Sequence, residues 1–124
     1  MTDLPALRRP NAAANYPAPE NDGLGRWVEA YFAHAVTTSP RSQREQRRDL
    51  DRFLGFLVRE EGTDARPAWP PRLPRAFLAW QTAALDPAGR RCWSDRTCNR
   101  VLAHLKTFGR WVHRLAPLPL GDPF

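Results

Sequence analysis

Residues 94–115 read SDRTCNRVLAHLKTFGRWVHRL, and the spacing of the apolar residues in this stretch decides the fold class. Cys98, Val101, Leu102, Leu105, Phe108, Val112 and Leu115 recur at steps of three and four, the repeat of one face of an α-helix. Arg96, Asn99, Arg100, Lys106 and Arg110 fall away from that stripe, so one side is apolar and the other basic. Ser94 or Asp95 supplies a cap at the start and Pro117 stands just beyond the end. The stretch predicts an amphipathic helix about 31 Å long at the usual rise per residue.

A second stretch of the same kind lies upstream. Residues 39–57 read SPRSQREQRRDLDRFLGFL, in which Ser42 with Glu45 fits a capping box at a helix start. Leu50, Phe53, Leu54, Leu57 and Val58 define its buried side, while Arg44, Arg48 and Arg52 follow one another at steps of four. Glu45, Asp49 and Asp51 interleave with these arginines, so Arg48 and Arg52 fit either an anion-binding row or a solvated face laced by pairs four residues apart. Arg41 and Arg44 sit at the amino-terminal end, where they oppose the helix dipole, an arrangement that an arriving anion would relieve.

The remaining chain fills out a bundle. Leu24, Trp27, Val28, Tyr31, Phe32 and Ala35 form a core-facing stripe for a first helix. Glu60 to Gly62 closes the second, and Pro67, Pro70, Pro71 and Pro74 stiffen the connection that follows. A third helix carries Leu73, Phe77, Trp80, Gln81 and Ala84 or Leu85 inward, with Pro74 in its first turn. The pattern holds four helices and no strand, so the fold class is all-α, a small four-helix bundle. Trp27, Trp80 and Trp111 lie on or beside apolar stripes and read as core; Trp69 and Trp93 fall in loops and are unassigned. Residues 1–22 have four prolines and little apolar periodicity, which predicts a disordered tail dispensable for folding; 23–116 form the helical domain.

Composition bounds the function. The 124 residues make one small domain. Basic residues number 19 against 13 acidic ones for a net charge of +6, and all the basic residues but Lys106 are arginine, a planar fork suited to phosphate oxygens and guanine edges. The tail holds two arginines against three acids, so the positive charge belongs to the folded body. Arginine, alanine and proline richness also follows from GC-rich coding, which would leave the charge without an anionic partner. Cys92 and Cys98 lie six apart, outside redox or zinc spacings, and His34, His104 and His113 complete no ligand set, so neither a metal nor a cofactor is expected. No secretory leader and no apolar run of membrane-spanning length is visible, which predicts a cytoplasmic protein with no membrane partner.

Taken in order, the helix of 24–35, the stretch SPRSQREQRRDLDRFLGFL, a third helix, SDRTCNRVLAHLKTFGRWVHRL and a closing LPLGDPF resemble the amino-terminal core-binding domain of the tyrosine recombinases, the phage-integrase family, over residues 24–124. The resemblance implies a four-helix domain that clamps one side of double-stranded DNA, with its second and fourth helices toward the groove. Residues 117–124, with Asp122-Pro123, would then begin a linker to a separate catalytic domain, and the parent would oligomerise on DNA. Carried over by position, the start of the second helix supplies Ser39, Arg41, Ser42 and Arg44, and the outward side of the fourth supplies Thr97, Arg100 and Lys106; Arg48, Arg96 and Arg110 extend the same faces. Thr97 and Ser94 serve equally well as helix caps. The family's nucleophilic tyrosine and H-x-x-R have no counterpart here, Tyr16 being in the tail and Tyr31 on a core stripe, so no catalysis is expected of this chain, which is read as a fragment or a remnant. A helical protein-interaction module with a basic face is the alternative.

Overall fold

The computed structural model describes Pro17 and residues 21–124. The tail expected over 1–22 therefore lies outside the described residues, apart from Pro17, Asn21 and Asp22. Four α-helices follow in order: α1 Leu24–His34, α2 Pro40–Glu61, α3 Leu73–Ala83 and α4 Asp95–Leu115, with a 3-10 turn at Arg66–Ala68 before α3. Among the described residues there is no strand, only isolated bridges between Gly23 and Ala65 and between Leu85 and Arg91. No helix among them is long and apolar enough to cross a membrane.

Each helix begins where its local chemistry allows. Ser39 caps α2 by accepting the Ser42 N–H at 3.2 Å, and Pro40 takes the first helical position, where its missing N–H costs nothing. The cap thus lies three residues earlier than the Ser42–Glu45 box expected from the sequence, and Glu45 turns to α4 instead. Gly62, at φ 75°, ends α2 in the left-handed conformation that glycine adopts without a Cβ penalty. The start of α1 is capped from a distance: Gly23 has no side chain to offer, and Asp64 accepts the Gly25 N–H through Oδ2 at 3.2 Å. A Cβ at Gly23 would come within 2.8 Å of that carboxylate.

The core forms where α2 and α4 pass one another, with α1 and α3 closing either side. Phe53, Leu57, Phe77, Leu105 and Phe108 are fully buried there. Trp69 joins them, because the 3-10 turn swings it from the proline-rich connection against Phe53 at 5.1 Å between ring centroids. Trp93 packs instead on half-buried Trp80, beneath the Arg52 guanidinium. Phe56 is buried although it lies outside the expected stripe, whereas Val58 is exposed and Leu85, beyond the end of α3, is 59% exposed. Cys98 is a free, buried thiol and Cys92 an exposed one.

Both ends of the described chain are fastened to the bundle. Asp22 accepts from Arg66 Nε at 2.9 Å and from Trp27 Nε1 at 2.6 Å. Arg66 in turn donates to the carbonyls of Ala116 and Pro117. Leu118 is buried, its N–H donates to His113 Nδ1 at 2.9 Å, and Phe124 packs edge-on to Trp69. Gly109 is the residue that admits this ring, since a Cβ there would meet Phe124 at 2.5 Å. Within 117–124, expected to begin a linker, Leu118 and Phe124 pack on the body, while Pro119 and Leu120 are exposed.

Candidate nucleic-acid interface

Two rows of guanidinium groups face solvent. On α2, Arg41, Arg44 and Arg48 are exposed on the side opposite Leu50, Phe53 and Leu57, and none has an ion pair among the described residues. On α4, Arg96, Arg110 and Arg114 fall one above another at whole numbers of turns, directly opposite the core stripe, with exposed Lys106 to one side of them. None of the four has a carboxylate partner among the described residues. The one acid of α4, Asp95, is taken by Arg91 at 2.8 Å.

The seam between the rows is neutralised from within. Asp49 is fully buried and accepts from Arg100 through both oxygens, at 3.1 Å from Nε and 3.0 Å from Nη2. His104 Nδ1 stands 2.8 Å from Asp49 Oδ2, and Glu45 lies 3.5 Å from Arg100 Nη1 at the solvent edge. The hydrogen bond to Asp49 and the nearby acids hold the Arg100 pKa above its ordinary value against the opposing effect of burial. Arg52 goes the other way: burial lowers its pKa, and its Nη1 donates to buried Gln81 at 3.1 Å.

These contacts bear on the expected site in two respects. Arg100, assigned to DNA, has its planar fork already spent on Asp49, so only its outer edge is open. The seam also orders the two helices in opposite chain senses: Arg52 of α2 lies over Trp93 just before α4, while Asp49 reaches Arg100 and His104 further along. The start of α2 is therefore not beside the start of α4. The start of α2 lies toward the middle of α4, where Gln46 and Thr38 share a groove with His104 and Thr107, and Arg96 stands at the other end of α4.

The hydroxyls play local parts. Ser39 and Ser42 bond one another at 3.2 Å, and Ser94 Oγ accepts the Thr97 N–H at 3.1 Å and donates to the Thr97 hydroxyl. Ser39 is exposed, while Ser42 and Thr97 are half-buried. Asp49 is the residue of the seam that spacing alone misses, because its neighbours Arg48 and Asp51 make it read as one of the solvated charges. A signal is present all the same: Asp49, Phe53 and Phe56 share one helical face at steps of four and three. Comparison of the chain with family models, with curated proteins and with solved structures found no match.

Proposed function

We propose that this chain binds double-stranded DNA through the face shared by α2 and α4, as the core-binding domain of a site-specific tyrosine recombinase whose catalytic residues lie elsewhere in the parent protein. The observation that carries the reading is the pair of cationic rows without carboxylate partners among the described residues, Arg41, Arg44 and Arg48 on α2 and Arg96, Lys106, Arg110 and Arg114 on α4, on either side of a seam whose acids are already satisfied. Like charges set in rows on rigid helices repel one another until an anion lies between them. A duplex presents a phosphate about every 3.4 Å of axis along each strand, so cations a helical turn or more apart on these rows each have a phosphate within reach.

The seam gives the face its rigidity. With Arg100 and His104 both fixed on Asp49, the two rows are held in one relative position, so the interface is set before DNA arrives. Salt titration tests the reading. A labelled duplex read by fluorescence anisotropy should bind with micromolar or weaker affinity, on the order expected of phosphate contacts alone, and log affinity should fall linearly with log salt. A polyglutamate peptide of similar charge is the control, and its tighter binding would favour the protein-interaction reading instead.

A further inference from the structure

We propose that the groove lined by Tyr31, Thr38, Gln46, His104 and Thr107, with Arg110 in the adjoining depression, seats a DNA backbone phosphodiester, and that His104 gains a proton as the seat fills. The inference rests on the DNA reading above and adds a site to it. Two adjoining depressions, of about 310 and 520 Å³, run along α4 beneath α1 and the α1–α2 connection and share Tyr31, Ala35 and Thr107.

Tyr31 points to a ligand there. Its side chain is only 6% exposed and its ring packs edge-on to Phe108 at 5.3 Å, yet its hydroxyl makes no hydrogen bond among the described residues. Tyr31 lines both depressions, and its oxygen is not sealed in the core. Burial raises the phenol pKa above 10.0, which keeps the hydroxyl a donor. A largely buried ring whose hydroxyl opens onto a groove offers a donor to an acceptor oxygen seated there.

His104 supplies the proton linkage. Asp49, an acceptor held by Arg100, fixes the His104 proton on Nδ1 and leaves Nε2 for the groove. In the neutral ring Nε2 is a lone pair that repels phosphate oxygen; a second proton makes it a cationic donor. The groups facing this ring are Asp49 and Glu45 from α2, Tyr31 from α1 with His34 in the adjoining depression, and Arg100 and Arg110 on α4 itself; the α1–α2 connection presents only Val36, Thr37 and Thr38. Thr107 donates to the Ala103 carbonyl, and Gln46 donates to Thr38 Oγ1, so the walls are fixed. An anion bound beside His104 favours its charged form, and the charged form favours the anion, by the same factor.

The test uses the full chain and a labelled duplex at fixed salt, between about pH 5.5 and 8 to bracket the ordinary histidine range, for the native protein and His104→Gln, Tyr31→Phe and His34→Gln. Native affinity should tighten as pH falls, by roughly tenfold, the scale of one hydrogen bond to a charged group. His104→Gln should flatten that dependence, His34→Gln should keep it, and Tyr31→Phe should weaken binding at every pH. On the native protein, the imidazole NMR titration of His104 should move to higher pH when duplex is added. DNA binding with none of these changes overturns the seat and leaves the DNA reading intact; no DNA binding at any pH overturns both. Inorganic phosphate shifting the His104 resonances where duplex does not would make this a free-oxyanion site and overturn the phosphodiester assignment.

Discussion

Asp49 and Asp22 are each clasped by an arginine and a ring nitrogen, but they hold different things. Asp49 sits inside a helix, fully buried, and ties α2 to α4 through Arg100 and His104. Asp22 precedes the first helix, keeps 16% of its side chain exposed, and reaches Arg66 and Trp27. Through Arg66 it joins the start of the described chain, the 3-10 turn and the carbonyls that follow α4. The first clasp sets how two cationic helix faces lie against each other; the second gathers three irregular segments. A charge at an interior helical position costs more to bury and, once paired, fixes orientation as well as position.

Breaking the seam should have the larger effect. Asp49→Ala leaves Arg100 and His104 without their acceptor and should cost about 3 kcal/mol in urea unfolding, the lower end for a buried pair because Arg100 is partly solvated and keeps Glu45. Asp49→Asn, which retains an acceptor oxygen, should lose less. A cost for Asp49→Ala indistinguishable from that of a surface change would mean the seam does not fix the helices.

The end clasp should come next. Asp22→Ala leaves Arg66 with two carbonyl acceptors still in place, so the expected loss is roughly 1–2 kcal/mol. Truncation provides a sharper comparison. A chain beginning at Gly23 should melt below one beginning at Asn21, by about the loss seen for Asp22→Ala. This revises the expectation that everything before Gly23 is dispensable, since Asp22 is bonded to the body. Equal melting of the two truncations would show the clasp to be incidental.

The smallest effect belongs to Arg91. Its pair with Asp95 is the exposed, four-apart kind in which solvent screening offsets most of the attraction. Arg91→Ala should leave thermal unfolding unchanged within error, against which the two buried clasps can be measured.

How far the residues foretell this depends on which link is considered. The helices are legible because apolar residues at steps of three and four leave few alternatives, and Cys98, Val101, Leu105, Phe108 and Val112 of the α4 stripe are buried, with Leu102 and Leu115 half-buried at its edges. The cap of α2 is ambiguous in the sequence because Ser39 and Ser42 both offer a hydroxyl, and the choice falls to Pro40, which is best tolerated at the first helical position. Trp69 cannot be placed from a loop, since a 3-10 turn determines where it points. The cationic rows are legible as faces, but the partner of Arg100 lies 51 residues away on another helix. Local spacing holds no trace of such a pair; only the buried phase of Asp49 hints at it.

The central claim is that the α2–α4 rows meet DNA phosphates, and the salt dependence of binding tests it most directly. Arg44→Ala with Arg110→Ala removes one exposed cation from each row, while Arg72→Ala with Arg75→Ala removes the same charge from α3 and its leading residue, away from the seam. Both pairs are measured by anisotropy of a labelled duplex across several salt concentrations. The first pair should lower the magnitude of the slope of log affinity against log salt by nearly two, at about 0.9 for each phosphate no longer neutralised, and the second should leave it unchanged. Equal slopes for the two double mutants would contradict the account and make the rows ordinary solvated surface.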